Sequence, residues 1–387
     1  MRRGFNVFPW LYRAATVPGE AGRFVAADAD PWPYLAAFPA ACFATLRGLG
    51  VDVIRVPLEP SPFLAATDDA ERDARAAGVL DAIGRVTGRG LTAIVDLHPR
   101  DAQPLFTGTA VLQSADLRVR YRATVTALAR AMASRGGPLV LELMNEPPGG
   151  WGWRDDFGWF DFQAELVAAA RVVAPRLPLL LQGDHGGGID GLMRLDPGRL
   201  DGPTTLYSFH YYRPMIVTHQ GATWGQNRYR RYLSGVPFPL DPADEAGVLA
   251  RLKVRIDADP SALDKDRIWR DASAAVRDDF SNGFGRDAIA QDVGRVVGWA
   301  ARHRIPAERL FLGEFGAMRP GAATPTVVAY AKAVRSAAEA AGIGWAYWNY
   351  APFDENSAGF SVLAMMPPDP VALDAGIIEE GLGLRRP

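Results

Sequence analysis

The chain has 387 residues, of which 48% are apolar and 22% are charged, so it can bury a sizeable core and is not intrinsically disordered. Its 42 basic and 44 acidic side chains leave a net charge of −2, which excludes the strong positive field typical of nucleic-acid binding. The single Cys42 excludes an intrachain disulfide and a thiolate metal cluster. Because no run of about 18 apolar residues occurs, we expect no membrane-spanning helix.

The N-terminal segment MRRGFNVFPW carries two arginines but lacks the apolar stretch of a signal peptide. As written, the sequence is compatible with a cytoplasmic protein. It is equally compatible with a secreted or periplasmic protein whose leader was removed. The oligomeric state is also left open by the sequence.

Eight short, apolar, β-branched segments recur along the chain and predict eight strands. They are GFNVF (4–8), VDVIRVPL (51–58), LTAIVDLH (91–98), LVLELMNE (139–146), LPLLLQGD (177–184), TTLYSFHYY (204–212), RLFLGEFG (309–316) and GWAYWNY (344–350). Near-continuous apolar character is typical of parallel strands that are covered on both faces.

Ala- and Leu-rich segments with helical spacing lie between these strands. The clearest are 34–49, 70–87, 117–134, 157–174, 287–303 and 326–341. The alternation predicts an α/β protein with a closed (β/α)₈ TIM barrel as a single catalytic domain over 1–387. An open doubly wound sheet is the alternative, but no GxGxxG motif follows the first strand.

The connection after strand six is unusually long. Residues 213–286 contain no strand candidate, although helices are predicted near 242–256 and 261–278. Loops of such length are uncommon unless they are functional, and one that follows a barrel strand rises from the C-terminal face. We interpret it as an insertion over a substrate cleft; a purely structural flap is the alternative.

The chemistry of a parallel barrel is carried by side chains at the C-terminal ends of its strands. Six of the predicted strands end in polar groups, which are costly among apolar neighbours unless they are paired or used. They include Arg55, Asp96, His98, Asn145, Glu146, His210, Tyr212, Glu314 and Asn349. Glu146 and Glu314 come from strands four and seven, and two carboxylates facing one mouth are what glycosidic cleavage requires.

The segments around these residues resemble glycoside hydrolase family 5, the large cellulase-like family. LELMNEPPGG (141–150) is similar to the family's acid/base motif, and RLFLGEFG (309–316) is similar to its nucleophile strand. VIRVPLE, VDLHP, HYY and WAYWNY match in the same order. The resemblance extends from Gly4 to about Phe360, and six motifs in register are far more specific than the NEP tripeptide alone.

The resemblance implies a retaining mechanism. In it, Glu314 attacks the anomeric carbon, while Glu146 protonates the leaving oxygen and later activates water. Glu146 must begin protonated, and a raised pKa would serve that role. Arg55 and Tyr212 are expected to stabilise ionised Glu314 by charge and by hydrogen bonding. Asn145 is expected to bind the sugar 2-hydroxyl.

The histidines and the buried acids complete this prediction. His98 and His210 are expected to line the −1 subsite. Glu142 and Asp96 are interpreted as supports that orient Arg55 and His98, because an inward charge needs a partner. His185 lies near the predicted mouth; the histidines at 219 and 303 are expected at the surface or at helix ends. No spacing resembles a metal motif such as HExxH, so neither a metal nor a cofactor is predicted.

Flat aromatic faces stack on sugar rings, and several indoles follow the predicted strands. The resemblance places Trp348 as the floor of the −1 subsite. The remaining candidates for the rim or the insertion are Trp10, Tyr12, Trp151, Trp153 and Trp224.

The sequence thus predicts a retaining β-glycosidase whose partner is a β-glucan or β-mannan. An endo-β-1,4-glucanase is the default, while a β-mannanase, a β-1,3-glucanase, an exo-β-glucosidase and a transglycosylase stay open, because specificity lies in the loops. A non-catalytic glycan-binding barrel would need a lost carboxylate, and both are present. Neither a nucleic acid nor a membrane is an expected partner.

Overall fold

Eight parallel strands close into a barrel in which each strand pairs with its neighbours in the sequence, and β1 pairs with β8. The strands are β1 (Arg3–Val7), β2 (Val53–Leu58), β3 (Thr92–Leu97), β4 (Leu139–Glu142), β5 (Leu179–Gln182), β6 (Thr205–Tyr211), β7 (Leu310–Phe315) and β8 (Gly344–Tyr350). Each of them lies at a predicted segment, so the predicted (β/α)₈ barrel is confirmed. This computed structural model describes residues 1–16, 31–32, 38–39, 41–101, 103–149, 157–225, 228–281, 283–351, 359–363 and 372–385.

Helices surround the barrel. They are α1 (Ala41–Gly48), α2 (Ser61–Ala65), α3 (Asp69–Thr87), α4 (Gly108–Gln113), α5 (Ala115–Arg135), α6 (Trp159–Val173), α7 (Ile189–Arg194), α8 (Met215–Thr218), α9 (Glu245–Ala258), α10 (Lys265–Ser281), α11 (Arg286–Arg302) and α12 (Thr324–Ala340). Local signals fix their ends: the side chain of Asp68 caps α3, and Gly136 follows α5 with a positive φ of 68°. Within the described ranges, no helix is long and apolar enough to cross a membrane.

The barrel interior is layered. Its lower layer is apolar and almost fully buried, and it consists of Val53, Ile94, Val140, Leu180, Phe311 and Ala346. Alternate residues of a strand face the same side, so the residues two positions farther along form the next interior layer. On β2 to β5 these are Arg55, Asp96, Glu142 and Gln182, all buried. A polar layer therefore lies directly above an apolar one, toward the C-terminal ends of the strands.

The connection from β6 to β7 contains α8, α9, α10 and α11. The helices predicted near 242–256 and 261–278 correspond to α9 and α10. Each buries an apolar stripe at helical spacing, with Val248, Leu252 and Ile256 on α9 and Val276 and Phe280 on α10.

The length predicted for strand four is wrong. Its pairing with β5 ends at Glu142, opposite Leu180. Four residues later, Glu146 has a φ of +42°, in the left-handed region, and that conformation cannot continue a strand. Asn145 and Glu146 therefore lie on a turn beyond the strand rather than on its interior face.

Candidate active site

A cleft of about 740 Å³ lies at the C-terminal ends of the strands, within the size range of small-molecule sites. Among the residues that line it are Tyr12, His98, Asn145, Glu146, Tyr212, His219, Trp224, Glu314 and Trp348. Predicted site residues from β3, β4, β6, β7 and β8 therefore meet in one opening.

Arg55 is fully buried beneath this cleft and binds three carboxylates. Its Nε donates to Glu142 Oε2 at 2.6 Å, its Nη2 lies 2.9 Å from Asp96 Oδ2, and its Nη1 donates to Glu314 Oε1 at 2.7 Å. Burial by itself would lower the pKa of the guanidinium, but the three negative charges outweigh it and keep that pKa well above its ordinary value. The predicted pairing of Arg55 with Glu142 is present.

Glu314 is held by donors on both of its oxygens. Oε1 accepts from Arg55, and Oε2 accepts from the Tyr212 hydroxyl at 2.9 Å. Its side chain is only 6% exposed. Burial and the neighbouring Glu314 raise the pKa of Tyr212 well above its ordinary value, so the phenol stays protonated and donates. Two donors and no acceptor suit an ionised carboxylate.

Asn145 is oriented by a chain of hydrogen bonds. His98 Nδ1 lies 2.6 Å from Asp96 Oδ2, and His98 Nε2 lies 3.0 Å from Asn145 Nδ2. Burial lowers the pKa of His98 to about 4, so the ring is neutral near pH 7. With its proton directed at Asp96, its Nε2 accepts from the amide, whose Oδ1 accepts from Arg55 at 2.8 Å.

Glu146 lies opposite Glu314. One carboxylate oxygen of each residue and a ring nitrogen of His210 lie within 4.8 Å of one another. Nδ1 of that ring lies 2.9 Å from Glu146 Oε1 and 3.6 Å from Glu314 Oε2. The Glu146 side chain is 41% exposed, and that surface faces the cleft. The enclosure raises the pKa of Glu146 above its usual range, mainly by desolvation. Glu314 is thus held among donors, whereas the environment of Glu146 favours a proton.

Within the described ranges, these three side chains form the cluster whose spacing could hold a metal ion. Both oxygens of Glu314 are already bound, however, by Arg55 and Tyr212.

Two buried polar residues at this site were missed by the sequence analysis. Asn6 on β1 accepts from Arg55 Nη1 at 2.8 Å and donates to the backbone carbonyl of Gly313 at 2.9 Å. Gln182 is the last residue of β5. Its side chain is hydrogen-bonded to the Glu142 carboxylate, to the backbone N–H of Glu146 and to the His210 ring. The signal was available, because Gln182 is a polar residue at the end of an apolar strand.

The aromatic wall is made of residues from several elements. The Trp348 ring lies 6.0 Å from the His98 ring at an interplanar angle of 25°, and Tyr12 meets His98 edge-on at 4.9 Å. Trp224, after α8, is 47% exposed and lines the cleft. All three residues therefore contribute to the lining of the cleft.

The rim position expected for Trp10 is wrong. Its side chain has no exposed surface and packs against Phe38 and Phe43, with ring centroids 5.3 and 5.1 Å away. The next residue, Leu11, extends the pairing with β2 through a bridge to Leu58, which directs Trp10 toward α1 instead of the cleft. Trp151 and Trp153, also predicted at the rim, lie outside the described residues.

The other histidines divide between the cleft and the surface. His219 follows α8, as predicted for a helix end, but it is only 5% exposed and lines the cleft beside Tyr212 and Trp224. His185 pairs with Asp184 at 2.9 Å. His303 is an exposed residue at the end of α11.

The sequence matches the family model for cellulase (glycosyl hydrolase family 5) over residues 39–354. The chain belongs to glycoside hydrolase family 5. It is therefore a glycoside hydrolase of a retaining family, as the sequence motifs predicted.

Two curated proteins are similar to this chain in sequence, and both carry names of glucan-cleaving enzymes. Endoglucanase 3 of Fibrobacter succinogenes is 23% identical over 314 residues, covering 80% of this chain and 44% of the relative. Cellodextrinase A of Ruminococcus flavefaciens is 26% identical over 140 residues, covering 35% of this chain and 40% of the relative. The chain thus spans less than half the length of the curated relatives it matches.

Solved structures share the fold of this glycoside hydrolase. Thermotoga maritima Cel5A in complex with cellobiose aligns with a TM-score of 0.67 at 17% identity, covering 98% of this chain and 96% of that one. The same protein in complex with mannotriose gives 0.67 at 17%, covering 98% and 97%. The cellulose synthase subunit Z of Clostridioides difficile gives 0.67 at 19%, covering 99% of both chains.

Proposed function

We propose that this family 5 member cleaves a β-linked glucan by double displacement, with Glu146 as the acid/base and Glu314 as the nucleophile. The observation that carries the proposal is the approach of the two carboxylates: one oxygen of Glu146 and one oxygen of Glu314 lie within 4.8 Å of each other. Retaining glycosidases place these groups about 5–5.5 Å apart, whereas inverting enzymes need about 6.5–9.5 Å to admit a water molecule.

In the first step, Glu314 attacks the anomeric carbon while the bond to the leaving oxygen breaks. Arg55 holds the Glu314 carboxylate in place. The guanidinium is itself held by Glu142 and Asp96, which bind its Nε and Nη2, so it cannot move with Glu314 toward the sugar. The Tyr212 hydroxyl fixes the second oxygen of Glu314. Fixed donors of this kind need no reorganisation during the reaction.

Glu146 gives its proton to the leaving oxygen in that step. In the second step, it takes a proton from water, which attacks the same carbon and releases Glu314. While the sugar is bound to Glu314, the negative charge opposite Glu146 is absent, and this favours ionised Glu146 as the base. The two roles are therefore compatible with one carboxyl group.

The neighbouring side chains are proposed to bind the sugar. Asn145 has one amide hydrogen not used by His98, and we assign it to the 2-hydroxyl, where a hydrogen bond strengthens as positive charge develops on the ring. Trp348 provides the floor of the −1 subsite, and Trp224 provides an outer stacking face.

We infer further that residues 213–286 form the insertion over the C-terminal face. The part of this segment around Met215, His219, Trp224 and Arg230 lines one side of the cleft. A long polysaccharide must pass this wall or end against it. The segment would then decide between endo and exo action.

A β-1,4-glucan is the favoured substrate because the curated relatives carry the names endoglucanase and cellodextrinase. A β-mannan is the second candidate, since a solved structure of similar fold holds mannotriose. The distinction depends on loops near the cleft and not on the two carboxylates.

The test is a panel of defined β-1,4-glucan, β-1,3-glucan and β-mannan oligosaccharides, with product sizing and with proton NMR of the first anomer released. Retained configuration and internal cleavage of the β-1,4-glucan are expected. An inverted first product would contradict the nucleophile assignment. Cleavage of mannan alone would replace the glucan proposal with the mannan one.

A further inference from the structure

Gln182 has no part in the mechanism above. Its side chain is buried, and both of its polar atoms are hydrogen-bonded, the oxygen to the backbone of Glu146 and the nitrogen to Glu142 and His210. It lies in the same interior layer as Arg55 and Glu142 and is 1% exposed. We propose that Gln182 is a positioning residue that selects which oxygen of Glu146 carries the catalytic proton, by fixing the tautomer of His210. The proposal rests on the acid/base role proposed for Glu146.

The orientation of the Gln182 amide is determined by its neighbours. Its Oε1 lies 2.9 Å from the backbone nitrogen of Glu146. A backbone N–H can only donate, so the atom facing it must be the amide oxygen. The amide nitrogen then points the other way, 2.6 Å from Glu142 Oε1 and 2.9 Å from His210 Nε2. Both hydrogens of the amide are used by these two contacts.

The tautomer of His210 follows from this orientation. An amide nitrogen only donates, so His210 Nε2 must present its lone pair toward Gln182. Burial lowers the pKa of His210 to about 4, and a neutral ring with a free Nε2 carries its proton on Nδ1. That Nδ1 lies 2.9 Å from Glu146 Oε1 and 3.6 Å from the nearer oxygen of Glu314. The N–H therefore donates to Glu146 Oε1.

An oxygen that accepts this N–H cannot also direct a proton toward it. In a neutral carboxyl group the carbonyl oxygen is the stronger acceptor, so protonated Glu146 keeps Oε1 as its carbonyl oxygen and its hydrogen on Oε2. Oε2 is then the atom that passes the proton to the leaving oxygen. When water attacks later, the proton lost by water returns to Oε2, while His210 still donates to Oε1. Both proton transfers thus use the same atom of Glu146, and His210 exchanges no proton.

Gln182 also holds the backbone that presents Glu146. The φ of Glu146 is +42°, which is uncommon for a residue other than glycine. The hydrogen bond from its N–H to Gln182 Oε1 fixes this turn beyond β4. On the other side, Gly187 packs so closely that an added Cβ would lie 2.5 Å from Gln182 Oε1. The amide is therefore enclosed between two backbone segments.

The test uses protein labelled with ¹⁵N-histidine and NMR of the ring nitrogens, with His210 assigned by the loss of its signals in His210→Asn. In the wild type, we expect a protonated Nδ1 and an unprotonated Nε2 at neutral pH. In Gln182→Glu, the oxygen that replaces the amide nitrogen lies beside Glu142 Oε1 and should share a proton with it. Its remaining lone pair faces His210 Nε2 and should draw a proton onto that nitrogen. A wild-type His210 with its proton on Nε2 would overturn the proposal. This measurement needs no turnover, so it is independent of the proposed function.

Kinetics provide the second arm. In Gln182→Glu and in Gln182→Met, which keeps the shape but not the donors, kcat should fall about 100-fold, the lower range for lost general acid catalysis. KM should change less than about threefold, since ground-state binding is not touched. The matched control is Gln163→Met, because Gln163 is also buried but donates only to the backbone carbonyl of Gln182 at 3.0 Å.

The control separates positioning from general damage. Gln163→Met should lower the melting temperature as a lost buried amide does, but leave kcat within about twofold. An unchanged kcat in Gln182→Glu, with His210 still protonated on Nδ1, would overturn the proposal. An equal loss of kcat in Gln163→Met would overturn it as well, because Gln182 would then act through packing alone.

Discussion

Glu314 and Glu146 face each other across the cleft, yet the two sides of the site are built differently. The Glu314 side is closed: the carboxylate is 6% exposed and both of its oxygens accept from fixed donors. The Glu146 side is open: the side chain is 41% exposed and lies on a turn beyond β4. One residue type thus meets two different surroundings: Glu314 accepts from fixed donors on both oxygens, whereas the surroundings of Glu146 raise the pKa of its carboxyl group.

The largest expected effect comes from removing Glu314, the carboxylate on the closed side. Glu314→Ala should lower kcat on the order of 10⁵–10⁶-fold, the scale of losing a covalent nucleophile. Added azide can enter the space left by the side chain and should restore turnover with an inverted product, measured by NMR of the released sugar. Failure of azide rescue in a variant that still folds and binds saccharide would count against Glu314 as the nucleophile.

The next largest effect comes from replacing Glu146, the carboxyl group on the open side. Glu146→Gln should lower kcat about 10²–10⁴-fold for natural saccharides but far less for aryl glycosides whose leaving group needs no proton. Desolvation by the walls of the cleft raises the pKa of Glu146, so wild-type activity should be present below that raised pKa and lost as the pH rises through it. The variant should lack this loss on the alkaline side. An unchanged alkaline loss would assign the acid to another group.

A smaller effect sharpens the role of the closed side. Tyr212→Phe removes one hydrogen bond to ionised Glu314 while Arg55 still binds the other oxygen. A hydrogen bond to a charged group contributes about 1.5–3 kcal/mol, so kcat/KM should fall roughly 10- to 100-fold. The adjacent Tyr211→Phe is the control, because Tyr211 donates to Asp292 away from the cleft. Equal losses in both variants would contradict a specific role for Tyr212.

The last effect is on stability rather than on turnover, and it concerns His219 in the wall of the cleft. Burial lowers the pKa of His219 to about 3, well below the value of about 6.5 for an unfolded histidine. The unfolded chain therefore binds more protons below pH 6.5, and the stability from neutral His219 is lost as the pH falls from 6.5 toward 3. His219→Gln should flatten the fall of the urea midpoint over this range relative to the wild type. The exposed His303→Gln should leave it unchanged.

Much of the barrel could be predicted because its strands are buried on both faces. Continuous apolar runs such as LTAIVDLH identify such strands directly. The period of two along strand four also placed Glu142 toward the interior beside Arg55, where the structure has it. The polar layer was predicted only in part. Gln182 also faces the interior by the period of two, but it is uncharged, and only charged residues were interpreted as needing a partner there.

The errors have a common physical origin in backbone turns. The end of β4 depends on the positive φ of Glu146, and no side chain in MNEP signals it. Trp10 was misplaced because the chain after β1 continues beside β2, a tertiary pairing between Leu11 and Leu58 that local sequence does not encode. Side-chain identity thus located the two carboxylates proposed to react, whereas the path of the turns decided which aromatics line the cleft beside them.

The apolar layer beneath Arg55 has a consequence for the sugar that the proposed mechanism attaches to Glu314. Val53, Ile94, Val140 and Leu180 close the barrel from below, with at most 4% of any of them exposed. Solvent must therefore come from above, along the path that the departing fragment vacates. A second saccharide that settles there first would take the place of water as the acceptor. The rate at which the departing fragment leaves the cleft, rather than the pKa of either carboxyl group, would then decide between hydrolysis and transfer to a second saccharide.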